Sequence, residues 1–348
     1  MKTPVVLAYS GGFRSSVAIP WLADRHATDV VAVTLDLGQS TDLVEIRDRA
    51  LAAGAARVHI IDARDEFARD FVWPSLAADA LSEGRYPMAT ALSRPVIART
   101  LAEMARIEGT TMVAHASAGR DRVRLHQPLR ALDAALAPIA VADAMASAEV
   151  AEYADRLGIS VPPQRGDRID DNLWARTIGC AIGDVTEEPP ESAFRRSRGL
   201  AQSPASPAVV DVSFERGAPT GINGVPMTPA ELIDSLSTIA GEHGVGRFDR
   251  VKNRADGSRS RVLYEAPAAA VLHQSRRALE QVGATEGLTR FASAVAAAYA
   301  GVLSRGEWFG PLRQGLDAFV SSTQSKVSGT VRVKLLKGSC HIVSRTLN

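Results

Sequence analysis

From residue 5 the chain alternates short apolar runs with amphipathic stretches. Val5 to Tyr9, Val30 to Leu35, Arg57 to Ile61 and Thr111 to Ala114 are brief runs rich in apolar and β-branched residues, as parallel strands covered by helices require. Between them Val17, Ile19, Trp21 and Leu22 suit a first helix, and Ile97, Leu101 and Met104 recur at helical spacing. Strands separated by helices predict an α/β, doubly wound parallel sheet over residues 1–165.

The pattern then changes. Asp184 to Ala208 is rich in Pro, Glu, Ser and Arg and predicts a mobile linker at about 184–208. Its Arg195-Arg196-Ser197-Arg198 cluster reads as a solvated face. Beyond it Val210, Val212 and Phe214 alternate as a strand, and Asn223-Gly224 marks a tight hairpin. Thr228-Pro229-Ala230-Glu231 combines a capping box with proline at the first helical position. Helices are expected at Ala268 to Gln281, Leu288 to Ser304 and after Pro311, before a hairpin that turns at Lys337-Gly338. Residues 166–348 therefore read as a second, α+β domain.

Composition narrows the function. With 348 residues, 46% of them hydrophobic, the chain can build two cores. A net charge of +1 gives no overall reason to expect a nucleic-acid or membrane partner. Arg120, Arg122 and Arg124 lack the interleaved aromatics of a nucleic-acid surface. Cys180 and Cys340 form neither a zinc spacing nor a disulfide framework, so a cytoplasmic protein is expected. No signal-peptide start, membrane-length apolar run or histidine metal motif is present in the sequence.

The chemistry begins at Ser10-Gly11-Gly12-Phe13-Arg14-Ser15-Ser16, directly after the first strand and opening a helix. Two glycines let the backbone approach an anion, while hydroxyls and helix N-terminal amides supply donors. The run has neither the lysine of a P-loop nor the GxGxxG spacing of a dinucleotide site, so it reads as another kind of phosphate cradle. Preceded by Ala8-Tyr9, it resembles the SGGxDS loop of the ATP-pyrophosphatases, and within them the argininosuccinate synthase family. Asp36-Leu37-Gly38-Gln39, Glu83-Gly84-Arg85-Tyr86-Pro87, Thr90-Ala91-Leu92-Ser93-Arg94-Pro95, His243-Gly244-Val245-Gly246-Arg247, Asn253-Arg254 and Tyr264-Glu265 extend the resemblance along nearly the whole chain.

The resemblance implies a reaction with ATP and Mg2+: a ureido oxygen attacks the α-phosphate, pyrophosphate leaves, and an amine, aspartate in the family, displaces AMP. It implies catalytic roles for Ser10, Arg94 and Asp121. Nucleotide and pyrophosphate contacts fall to Ala8, Tyr9, Ser10, Gly11, Gly12, Arg14, Ser15, Ser16, Asp36, Gln39 and Arg94, with a strand-end cap as the alternative role of Asp36 and Gln39. The carbonyl acceptor and amine donor fall to Tyr86, Thr90, Arg120, Asp121, Arg124, Arg168, Thr177, Lys252 and Tyr264.

Several positions depart from the family pattern. Arg14 replaces an aspartate, Arg120 an asparagine, Arg168 a serine and Lys252 a glutamate, adding about +6 of charge. The stretch from Ala116 to Arg124 is also shorter than the family's amine-donor segment. A lysine about 4 Å from an α-ammonium costs about 4 kcal/mol at an effective dielectric of about 20. Citrulline is therefore expected to be a poor acceptor, and Lys252 with Arg168 to hold a more anionic ureido or amide compound. An ordinary argininosuccinate synthase and a non-catalytic nucleotide-binding paralogue remain open. Because the chain ends at Asn348, before the arm that links family subunits, a homo-oligomer is expected but dimer and tetramer both stand.

Overall fold

The computed structural model describes residues 3–145, 147–159, 168–180, 185–253 and 259–347. Asp184 and Arg254, named above, lie outside them. The chain forms two compact units that interleave along the sequence. Met1–Ala63, Ala91–Arg165 and Val302–Gly310 make the first, and Arg64–Thr90, Gly166–Gly301 and Pro311–Asn348 the second. The expected division at residue 165 is thus one crossing among several: residues 64–90 cluster with the later unit and 302–310 with the earlier.

The first unit is built on five parallel strands: β1 (Val5–Ala8), β2 (Val30–Asp36), β3 (Arg57–Asp62), β4 (Met112–His115) and β5 (Ala137–Ala140), in the order β3-β2-β1-β4-β5. Val5, Leu7, Val30 and Ala32 bury against Val17, Ile19 and Leu22 of the helix Phe13–His26 and Ile46 of Leu43–Ala52. The winding reverses between β1 and β4. At such a switch point the loops leaving the strand C-termini diverge and open a crevice. Here those are the loops after Ala8 and after His115.

The second unit holds two antiparallel sheets. One runs β11-β12-β7-β6, from β6 (Arg168–Asn172), β7 (Ala175–Cys180), β11 (Arg247–Asn253) and β12 (Arg259–Glu265). The other runs β10-β9-β8-β13-β14, from β8 (Ala208–Glu215), β9 (Ala218–Ile222), β10 (Val225–Pro226), β13 (Gly329–Leu336) and β14 (Ser339–Leu347). Asn223 at φ 52° and Gly224 at φ 78° form the expected turn between β9 and β10, because a two-residue hairpin needs both in the left-handed region. Thr228 and Glu231 cap the helix Pro229–Glu242 reciprocally, with Pro229 at its start.

The segment expected to be a linker is tied down at its arginine cluster. Glu265, at the end of β12 and fully buried, accepts from the backbone amides of Arg195, Arg196 and Ser197 at 2.8–3.0 Å. The Ser197 hydroxyl at 2.9 Å and the Arg176 guanidinium at 2.8 Å complete its shell. Arg247 then binds the Ser197 hydroxyl and carbonyl, grips Glu191 with two nitrogens, and lies over the Phe194 ring at 3.9 Å. The Arg195 to Arg198 run is therefore organised by its main chain, which curls its amides around one carboxylate.

Candidate active site

In the first unit the chain leaves β1 through Tyr9 and Ser10. Tyr9 is buried, its hydroxyl 2.9 Å from Ser16 Oγ and its carbonyl accepting from Thr34, so its side chain supports the loop from beneath. Gly11 adopts φ +71°, and a Cβ there would lie 2.7 Å from Ile46 Cγ1. Only glycine satisfies both constraints. Arg49 donates to the Gly11 carbonyl, and Ser15 and Ser16 donate to that of Gly12 at 2.8 and 3.2 Å. Ser10 Oγ stands 3.3 Å from Ser15 Oγ. The helix that follows has Gly12 as N-cap, no side-chain cap and no acidic residue in its first turn. Its amides and dipole are arranged for an anion; Arg14 is exposed on that turn and adds positive charge.

After β2, the Gln39 side chain accepts from the Leu37 amide at 2.8 Å and donates to the Leu35 carbonyl at 2.9 Å, while Asp36 accepts from Gly38 at 2.9 Å. These residues brace the turn, the strand-end role weighed for them above.

The loop after β4 leads through Ala116 to Gly119, at φ +57°, into the helix Gly119–Leu132, which also starts without a side-chain cap. Asp121 in its first turn is buried between two guanidiniums: Arg94 Nη2 at 3.5 Å and Arg124 Nη1 at 3.2 Å. Arg124 also donates to the Ser304 carbonyl at 3.1 Å. Arg94, Asp121 and Arg124, predicted separately, thus form one cluster; Arg120 is exposed beside it. His115, absent from the predicted set, fixes the loop start by accepting from the Ser117 amide at 3.2 Å. Burial, His126 and Arg94 hold its pKa down to about 3, so the ring is neutral and this acceptor persists at physiological pH.

In the second unit, residues expected to hold the acceptor, Thr177, Tyr264, Arg168 and Lys252, share one face of the β11-β12-β7-β6 sheet, called the acceptor face below. The register aligns Phe248, Tyr264, Thr177 and Asp170 across it, with Arg250, Val262, Gly179 and Arg168 in the next row and Lys252 opposite Ser260 beyond. Directly opposed residues share a face. Tyr86 stacks on Tyr264 with ring centroids 5.6 Å apart, and its hydroxyl donates to the Asp249 carbonyl. A tight turn from Ser82 to Tyr86, closed by two 2.9 Å backbone bonds, presents Tyr86 and Glu83. Thr90 stands half-buried at the start of the helix Ala89–Ile107.

This geometry corrects one expectation. Lys252 and Arg168 lie on the same face but on opposite edge strands, three strand spacings and one row apart or about 16 Å at the backbone, so they are not an adjacent cationic pair. Arg168 also has a partner, Asp170 at 3.5 Å, which puts a carboxylate on the acceptor face beside Thr177. Asp170, Arg250 and Glu83 were missed. The alternation Phe248, Arg250, Lys252 along β11 would have placed Arg250 on this face from the sequence alone.

A parallel α/β unit with a glycine-bearing, uncapped helix start at its switch point, joined in one chain to an α+β unit bearing a tyrosine-lined polar face, fits the class of ATP-using synthetases. The comparisons name the family. Residues 4–160 match the model of the arginosuccinate synthase N-terminal HUP domain and residues 168–348 that of the arginosuccinate synthase C-terminal domain. An argininosuccinate synthase of Dehalococcoides mccartyi is 43% identical over 352 residues, covering 99% of this chain and 87% of the relative. One of Rubrobacter xylanophilus is 44% identical over 349 residues, with 98% and 85% covered. The chain belongs to the argininosuccinate synthase family and is an ATP-dependent carbon–nitrogen ligase. Among the described residues, no helix is long and apolar enough to cross a membrane.

Proposed function

We propose that the enzyme joins citrulline to aspartate, forming argininosuccinate with release of AMP and pyrophosphate. The supporting observation is the acceptor face, where Tyr86, Thr177 and Tyr264 stand with Asp170, a carboxylate suited to an amino acid's α-ammonium. Relatives that match nearly the whole of this chain at roughly two-fifths identity carry the argininosuccinate synthase name. The ureido oxygen attacks the α-phosphorus of ATP, the bond to the bridging oxygen breaks, and pyrophosphate leaves into the Ser10 to Ser16 cradle. The aspartate amine then adds to the ureido carbon, and AMP departs with the activated oxygen. Arg94 stabilises charge developing on the phosphate, with Asp121 holding it in place. Magnesium travels with the phosphates, whose oxygens suit it; among the described residues no group of three or more His, Cys, Asp or Glu is placed to hold a metal. Homo-oligomerisation and a cytoplasmic location go with this reading.

One observation favours a second reading, a more anionic ureido acid as acceptor: Lys252 shares the face with Tyr264. Pyrophosphate release from Mg·ATP and aspartate, measured with citrulline and with ureido dicarboxylic acids, separates the two. Citrulline is expected to be the best acceptor. A dicarboxylic acid surpassing it tenfold in kcat/KM would replace the first reading by the second, and no release with any acceptor would defeat both.

The cradle carries its own prediction. Gly11→Val should weaken ATP binding at least tenfold by calorimetry, because the side chain needs space held by Ile46 and a backbone angle that valine resists. Unchanged affinity would move the phosphates elsewhere.

A further inference from the structure

Arg250 stands on edge strand β11 of the acceptor face with its guanidinium held from three directions. It donates to the Glu83 carboxylate, hydrogen-bonds the Tyr264 hydroxyl, and lies over the Tyr86 ring at 5.0 Å. Its Nε is buried with no hydrogen-bond partner. The side chain is 17% exposed whereas Glu83 is 61% exposed, so the carboxylate approaches from the solvent side and the arginine is the inner member. Burial pushes the Tyr264 phenol upward in pKa. It therefore stays protonated, and while its oxygen accepts from Arg250 its own proton is free to donate.

A guanidinium that only braced a loop would need the Glu83 contact alone. This one is stacked, flanked by a second donor and left with an unmet nitrogen, and two such donors side by side match the two oxygens of a carboxylate. We infer that Arg250, presented by Glu83, Tyr264 and Tyr86, is the receptor for the acceptor's carboxylate and sets the enzyme's preference for amino-acid acceptors over ureas that lack the carboxylate. The inference rests on the ligase reading above and adds a specificity residue to it. Lys252, two residues along the same strand face, raises the local positive potential.

The test compares two acceptors that differ only in the carboxylate: citrulline and its decarboxylated counterpart, 4-ureidobutylamine. Binding is read by calorimetry, and turnover by pyrophosphate release. The wild type should favour citrulline by about thirtyfold or more, as expected for one charge-assisted contact made in a partly desolvated site. Arg250→Met should bring the ratio within threefold, and Arg250→Lys, which keeps the charge but loses the fork, should fall between. ATP affinity and thermal unfolding of each variant show whether the fold is intact. If Arg250→Met weakens both acceptors equally, or leaves the ratio unchanged, the arginine is a brace and the inference is overturned. If the wild type releases no pyrophosphate with any acceptor, the ligase reading fails separately. The calorimetric ratio still decides whether Arg250 receives a carboxylate, and a wild type that binds neither compound overturns that too.

Discussion

Glu265→Ala is expected to lower the unfolding free energy by about 3–5 kcal/mol, the usual consequence of removing one partner from a buried, hydrogen-bonded ion pair. The carboxylate is fully buried, faces Arg176 at 2.8 Å, and accepts from three consecutive backbone amides and the Ser197 hydroxyl. Alanine leaves a buried guanidinium without its counter-charge and several buried amides without an acceptor, and neither defect can be relieved by a rotamer change. Because folded domains are stable by only about 5–15 kcal/mol, such a loss should make the variant poorly soluble at growth temperature. Urea denaturation followed by fluorescence and circular dichroism measures the loss. Glu265→Gln should recover part of it, since one oxygen still accepts, but its amide nitrogen confronts donors. A loss below 1 kcal/mol for alanine would show that water can reach these groups.

Glu265 also shows where sequence reading stops. The Arg195 to Arg198 run looks like a solvated cationic face because side-chain pattern reports side chains. Around Glu265 its structural work is done by amides, which are the same in every sequence, while Arg196 turns its side chain to Asp171 at 2.6 Å. In contrast, β1 to β4 were legible to within one residue at either end, since short β-branched runs between amphipathic helices have few alternative arrangements. The next strand, Ala137–Ala140, was missed: Ala-Pro-Ile-Ala is too short and too poor in β-branched residues to stand out. Residues 64–90 pack with the later unit although the family models divide the chain between residues 160 and 168, because helical periodicity gives a buried face but not what buries it. Of the site, the Ser10 loop was readable from its chemistry. That Arg94, Asp121 and Arg124 meet was not, since Arg94 is contributed by a distant helix. The acceptor face was read residue by residue without its register. For that reason Lys252 and Arg168 were treated as neighbours, while Arg250, between Phe248 and Lys252 on the same face, was passed over.

The remaining large effect concerns Asp121. It is buried, stands in the first turn of a helix whose dipole favours a carboxylate, and divides its two oxygens between Arg94 and Arg124. Asp121→Asn keeps the shape and removes the charge, so two nearby guanidiniums lose the anion that holds them together. Arg124 retains the Ser304 carbonyl at 3.1 Å; Arg94, whose contacts to Asp121 and to Ser93 Oγ are long at 3.5 and 3.4 Å, is the more easily displaced of the two. If Arg94 acts on the phosphate as proposed, its displacement by about 1 Å costs on the order of a hundredfold in rate. The expected result is therefore a fall of about 100-fold in kcat for pyrophosphate release, with KM for ATP changing less than about threefold because the Ser10 cradle is untouched. The assay also separates two roles for the carboxylate. If Asp121 acts by placing Arg94, kcat falls at saturating aspartate. If it instead binds the amine donor directly, raising the aspartate concentration restores the rate and only KM for aspartate moves. Activity within tenfold of the wild type under all substrate concentrations would remove Asp121 from the catalytic machinery and leave it as a structural counter-charge for Arg124.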